Sequence, residues 1–174
     1  LYSLLEKLNH ELEIELIGCL GDASDPIFIK NTFRDHKVEI IFHCAAYKHV
    51  PLVENNSIEG IKNNLSCTLN LCKYANQNKV KYFILISSDK AVRPTNVMGC
   101  SKRVCELIIK NYSLISKNTI FGMVRFGNVL GSSGSVIPKF KDQIKKGGPI
   151  TITDKRIVRY FMTIHEASEL VIQS

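Results

Sequence analysis

Residues 83–86 form an unbroken apolar run, Phe-Ile-Leu-Ile, that breaks at once into Ser87-Ser88-Asp89-Lys90. Its length and β-rich composition fit a strand buried on both faces, the kind found in parallel sheets. Parallel neighbours cannot be joined by a tight hairpin, so such a strand needs long, usually helical, crossovers on either side. The flanking sequence meets that demand. Residues 38–42 and 119–126 read as further strands, and residues 79–86 as the one between them. Between these lie a long helical region from 52 to about 78 and a helix over 96–116. Upstream, residues 1–8 have helical spacing and residues 12–20 read as a strand. Asp25-Pro26 then supplies an N-cap and first-turn proline for a helix to about residue 34. Downstream, a helix over 135–146 ends at Gly147-Gly148-Pro149, a short strand follows at 150–152, and residues 164–174 are again helical. Strands alternating with helices of this length specify an α/β fold with a doubly wound, Rossmann-like parallel sheet, in one domain over 1–174.

An acid next to a base at the carboxyl end of a parallel strand lies where open α/β sheets take their ligands. Met98 and Lys102 are four residues apart, so they share one face of the next helix, near the same strand end. The plainer alternative is an exposed turn pair and a solvated helix lysine. Other features carry two readings. Cys44-Ala45-Ala46 either lets a ligand approach the backbone or allows tight helix–strand packing. Asp22 either receives a hydrogen bond from a nucleotide base or caps a turn. The glycine/serine stretch 127–134 precedes a helix and is either a phosphate site or a surface loop. No GxGxxG fingerprint is present.

The chain has 174 residues, 45% of them hydrophobic, enough for a sizeable core. No apolar run approaches the roughly 18–20 residues that span a membrane, and the N-terminus does not read as a signal peptide. The first residue is not Met, and both ends fall inside helical patterns, so a piece of a longer protein is expected. The six cysteines form no CxxC pair and share no ligand-like spacing with the five histidines. Reduced thiols, a cytoplasmic setting and no metal follow. The net charge of +7 implies an anionic partner. Because the lysines are scattered, without a basic block or interleaved aromatics, nucleic acid is not the expected one.

Five segments in consistent order carry a resemblance: 42–51 (FHCAAYKHVP), 87–90 (SSDK), 94–102 (PTNVMGCSK), 125–138 (RFGNVLGSSGSVIP) and 159–164 (RYFMTI). They resemble the nucleotide-sugar 4,6-dehydratases of bacterial polysaccharide and glycan biosynthesis, in the extended short-chain dehydrogenase/reductase superfamily. The likeness is greatest to larger, membrane-anchored members that act on UDP-N-acetylglucosamine. It implies a partial NAD-binding catalytic domain, truncated at the N-terminus, where the family's glycine-rich βα unit is absent, and again at the C-terminus, with residues 127–174 on the nucleotide-sugar side. It further implies NAD in preference to NADP, a UDP-sugar substrate, a homo-oligomer, and membrane contact at the cytoplasmic face only through segments outside this chain.

Carried over by residue, the resemblance gives Asp22 the adenine and sets Cys44, Ala45, Ala46 and Ser87 along the cofactor. Asn64 matches an asparagine that kinks the long helix. Ser88, Asp89 and Lys90 fall on the family's catalytic triplet, and Lys102 on the lysine that holds the nicotinamide ribose. Tyr47, Lys48 and His49 edge the sugar pocket, while Asn128, Ser132, Ser133 and Arg159 lie near the nucleotide diphosphate. Met98 occupies the superfamily's usual tyrosine position, and a thioether cannot exchange a proton. The larger dehydratases share that methionine, which shifts the expected proton chemistry to Asp89 and Lys90. The reaction implied is NAD-dependent dehydration to a 4-keto-6-deoxy sugar, with Lys90 as base and a protonated Asp89 as acid. The alternatives are a UDP-sugar 4-epimerase and a non-catalytic NAD- or nucleotide-binding module.

Overall fold

A computed structural model describes residues 4–6, 8, 13–132, 136–152 and 154–174. Strands β1 (Ile40–His43), β2 (Tyr82–Ser88) and β3 (Ile120–Phe126) form a parallel sheet in that order. In the ladders His43 lies beside Leu85, Ser87 beside Arg125 and Ser88 beside Phe126. After α1 (Pro26–Asp35), helices α2 (Val50–Asn55) and α3 (Ser57–Gln77) carry the chain from β1 to β2, and α4 (Val97–Ile115) carries it from β2 to β3. This is the Rossmann-like arrangement expected from the alternating patterns.

Capping fixes where two of the helices begin. Asp25 accepts the Ile27 N–H at 2.8 Å and Pro26 takes the first helical position of α1. Asn96 accepts the Gly99 N–H at 2.8 Å, which sets the phase of α4 and so the face that Met98 and Lys102 share. Phe83 and Leu85 of β2 are fully buried against Cys72 and Ala75 of α3, Cys105 and Ile109 of α4, and Phe121 of β3. Burying each such large apolar side chain contributes about 1.5–3 kcal/mol. Strand side chains alternate, so Ser87 follows Phe83 and Leu85 onto the α4 side. The same packing that glues α4 to the sheet therefore delivers Ser87 to that helix.

Three expectations are corrected. Glu13 and Ile14 form a bend, and residues 15–20 make no ladder, with Leu20 88% exposed. A strand exists only where a neighbour answers its N–H and C=O groups, and none among the described residues does so there. The long helical region is broken at Asn56 (φ −133°, ψ 51°) into α2 and α3. Residues 150–152 are not a strand: Gln143 answers Thr151 instead, receiving its N–H at 3.1 Å and donating to its hydroxyl at 2.8 Å. The short second sheet pairs β4 (Asn128–Val129), inside the stretch read from sequence as a loop, with β5 (Phe161–Met162). Helices α5 (Val136–Lys145) and α6 (Ile164–Gln173) match expectation, α6 opening on a Thr163/Glu166 capping box. No helix among the described residues is long and apolar enough to cross a membrane.

Candidate active site

A cavity of about 500 Å³ opens at the carboxyl ends of β1, β2 and β3. Its walls come from four places in the sequence: residues between Cys44 and Pro51 after β1 (Ala45 and Tyr47 apart), Ile86 to Ser88 with Lys90 at the end of β2, Met98 and Lys102 on α4, and Phe126 to Val129 with Ser132 after β3. This is the crevice anticipated from the acid–base pair behind an apolar strand.

Met98 and Lys102 are 3% and 7% exposed, so the plainer reading of a solvated helix lysine does not hold. Lys102 Nζ donates to the Ile86 carbonyl at 3.0 Å, which ties α4 to β2 just before Ser88-Asp89-Lys90. Burial lowers the Lys102 pKa from its ordinary value, an effect partly offset by neighbouring thiols and Glu106. Gly99 presses against the Lys90 carbonyl: a Cβ built there would meet that oxygen well inside contact distance. Gly99→Ala is therefore expected to displace the Lys90 peptide and destabilise the fold by about 1–3 kcal/mol. Urea midpoints of the two proteins would measure this, and equal midpoints would refute the close approach.

Asp89 and Lys90 form an ion pair, Nζ to Oδ1 at 3.0 Å, and the Ser88 hydroxyl donates to the same oxygen at 3.0 Å. Lys90 lines the cavity, whereas Asp89 adjoins it only through its partners, its side chain 49% exposed. Partial burial works to raise the Asp89 pKa, but hydrogen bonds from Lys90 and Ser88 and the lysine's charge outweigh it, and the net shift is downward. The dry, protonated aspartic acid expected from sequence is not the form found here. The physical reason is that half-exposed, oppositely charged neighbours favour the ion pair.

Of the other residues singled out, Cys44, Ala46, Ser87, Ser88, Lys48, His49, Asn128 and Ser132 line this cavity. Tyr47 lines an adjoining one of about 460 Å³, against Leu52, Val53, Asn56, Glu59 and Gly60. Arg159 lines a third, of about 450 Å³, which Asn128 shares. Ala45 is exposed and not brought in, and Ser133 lies outside the described residues. Asp22 caps its own turn, accepting the Ser24 N–H at 2.8 Å. Asn64 is buried and clamps the loop behind the cavity: its oxygen receives the Tyr47 N–H at 2.7 Å, and its amide donates to the Tyr47 carbonyl at 3.2 Å and to Ser101 Oγ at 3.0 Å.

Two buried groups were not anticipated. His43 is 2% exposed, with Nε2 2.9 Å from Thr68 Oγ1. The Thr68 hydroxyl also reaches the Asn64 carbonyl at 2.9 Å and Cys105 Sγ at 3.2 Å, and Nε2 is the ring nitrogen of His43 that it engages. That leaves Nδ1 buried without a partner among the described residues. Glu106, four residues beyond Lys102 on α4, binds Ser87, Arg125 and Arg103. The helical spacing of Met98, Lys102 and Glu106 was the signal that could have found it. No group of three or more potential metal ligands occurs among the described residues.

Residues 1–174 match the model of a family described as polysaccharide biosynthesis protein. The probable polysaccharide biosynthesis protein EpsC of Bacillus subtilis is 51% identical over 97% of this chain and 30% of its own length. An inverting UDP-N-acetylglucosamine 4,6-dehydratase of Campylobacter jejuni is 36% identical, covering 89% of this chain and 47% of its own. A UDP-glucose 4-epimerase of Rickettsia bellii is also 36% identical, covering 99% and 52%. The crystal structure of Pen from Bacillus thuringiensis superposes with a TM-score of 0.89 at 37% identity, over 99% of this chain and 54% of that one. The chain thus spans between about a third and a half of these relatives. It belongs to the polysaccharide biosynthesis protein family.

Proposed function

We propose that this chain is the central part of an NAD-dependent UDP-sugar 4,6-dehydratase, with UDP-N-acetylglucosamine as substrate and a 4-keto-6-deoxy sugar nucleotide as product. The observation that carries the reading is the hydrogen-bonded acid–base pair Asp89–Lys90 at the mouth of a cavity walled by Met98 and Lys102. Epimerisation needs the same oxidation at C4 but no acid–base pair for C5 and C6.

The fit of a nicotinamide rests on the donor set. Lys102 spends one of three ammonium protons on Ile86 and faces a cavity edged by the small residues Cys44 and Ala46. That suits a ribose diol held close to the backbone. Held there by Lys102, Cys44 and Ala46, NAD would supply a reversible hydride acceptor for the C4 and C6 positions of the sugar. The Ser88–Lys90 cluster assists loss of the C4 hydroxyl proton, and the ketone then acidifies the C5 hydrogen. Lys90 removes that proton and Asp89 protonates the departing C6 hydroxyl, which leaves as water. Lys90 then returns a solvent-exchanged proton to C5 as C6 gains hydride, and the proton released from the C4 hydroxyl restores Asp89. The pair already holds the protons this needs. Moving one proton across its 3.0 Å hydrogen bond turns the charged pair into a neutral amine and a carboxylic acid. A bound sugar that excludes water favours this neutral form, because charges lose more than neutral groups when solvent leaves. Met98 contributes bulk and dryness, not protons.

Residues 127–174 form the nucleotide side in this reading, with Asn128 shared by the central cavity and the one that Arg159 lines. A homo-oligomer belongs to it as well; exposed Ile58 and Leu69 on α3 and Leu107 and Leu114 on α4 offer apolar surface. The test is proton NMR of UDP-N-acetylglucosamine with NAD and the full-length protein in D₂O. A 6-methyl signal with deuterium at C5 is the expected result. UDP-N-acetylgalactosamine would instead establish the epimerase, and no turnover would favour a binding module, the role that a methionine in place of tyrosine would fit.

A further inference from the structure

We propose that Glu106 is a positioning residue that locks together the two strand ends bounding the active site. The kinetic part of this inference rests on the dehydratase reading above; its structural part does not. Glu106 is 1% exposed on α4. Its Oε1 accepts from Ser87 Oγ at 2.6 Å and Arg125 Nε at 2.7 Å. Its Oε2 accepts from Arg125 Nη2 at 2.6 Å and Arg103 Nη1 at 2.9 Å. Four donors fill the roughly four lone-pair sites a carboxylate offers, so Glu106 has nothing left for a substrate. It acts only through the groups it holds.

Those groups stand one residue before the chemistry on each side. Ser87 precedes Ser88-Asp89-Lys90, and Arg125 precedes the segment from Phe126 to Val129 that forms the facing wall. Ser87 and Arg125 are ladder partners, and the ladder ends one rung later at Ser88 and Phe126. Past that rung the sheet no longer fixes how far apart the walls stand. The bidentate Arg125 fork and the short Ser87 bond, both to one buried carboxylate, extend that control. One turn earlier on α4, Lys102 holds the Ile86 carbonyl, so a single helix face grips consecutive residues of β2. Proton transfer depends on sub-ångström placement, and a misplacement of about 1 Å can cost about 100-fold in rate.

The experiment compares full-length wild type with Glu106→Gln and Arg125→Lys. The lysine keeps the charge but forfeits the two-pronged geometry. For each protein, kcat and KM for UDP-N-acetylglucosamine are measured alongside amide hydrogen exchange. Folded Glu106→Gln is expected to lose about 10–100-fold in kcat with KM within about threefold. Protection should fall at residues 86–91 and 126–129 while the core around Phe83 and Ile109 keeps its own. Folded Glu106→Gln with wild-type kcat and wild-type exchange overturns the proposal. So does a loss of protection spread evenly over the sheet, which marks a general structural role. Should Glu106→Gln not fold, Arg125→Lys decides on the same two readouts. Should wild type turn over no UDP-sugar, the dehydratase reading falls, and local exchange alone decides whether Glu106 is the lock.

Discussion

Lys90→Ala and Asp89→Asn are each expected to lower kcat for dehydration by about 10²–10⁴-fold, the range attributed to a positioned acid or base. UDP-sugar affinity should stay within a few-fold, because neither group is assigned to hold the nucleotide. The two variants should also differ from each other. With Lys90 intact but without its proton acceptor, Asp89→Asn regains a neutral base for C5 only where solvent takes the lysine proton, so at raised pH substrate whose C4 is oxidised exchanges its C5 hydrogen with D₂O while the C6 hydroxyl stays in place. Lys90→Ala should show neither exchange nor elimination. NMR of the recovered sugar nucleotide separates the two: deuterium at C5 without a methyl group in one, an unlabelled sugar in the other. Equal exchange in both variants would take the base role from Lys90. Loss of nucleotide-sugar binding in both would make the pair structural, and Ser88, whose hydroxyl already reaches Asp89, would become the next candidate.

The position of residues 87–90 at a crevice was legible in the sequence because a buried parallel strand ends in charge at its ligand-facing tip. The central sheet, α1 and α4 were legible for a related reason: apolar runs, an Asp-Pro start and an Asn cap act locally, and tertiary packing reinforces each. What failed depended on partners the sequence does not name. Residues 12–20 have the composition of a strand, but no described neighbour answers their backbone. Asn128–Val129 and Phe161–Met162 are too short for a period yet pair because the fold brings them side by side. The helical region from 52 read as continuous because Asn56 looks like any polar residue on an exposed face. The Asp89 proton was misjudged for an electrostatic reason: its ionisation depends on exposure and on a lysine 3.0 Å away, neither visible in a string of letters. His43 and Glu106 were missed because a lone histidine in a strand and a glutamate in a helix are usually unremarkable. Only burial makes them consequential.

Burial of those two residues also sets how the fold responds to acid. Desolvation and the nearby Lys102 charge lower His43 from 6.5 to about 4. The unfolded chain therefore binds the proton more readily, and the stability held above pH 6.5 is lost as pH falls through the window down to about 4. Glu106 continues in the next window. Burial would raise its pKa, but the Arg125, Ser87 and Arg103 hydrogen bonds overcome this and hold it at about 2 against an ordinary 4.5. A depressed carboxylate contributes stability that is present above its unfolded value and lost as pH drops toward the folded one. Each shift spans about 2.5 units, roughly 3 kcal/mol by the 1.36 kcal/mol-per-unit equivalence. Domains are stable by only about 5–15 kcal/mol, so losses of this direction at both residues weaken the fold in acid. Urea midpoints from about pH 8 down to about pH 3 should fall in two successive stages. His43→Gln, which has no titrating ring, should flatten the first stage and leave the second. A His43→Gln protein that keeps the wild-type slope between pH 6.5 and about 4 would mean that His43 does not control acid stability in that window.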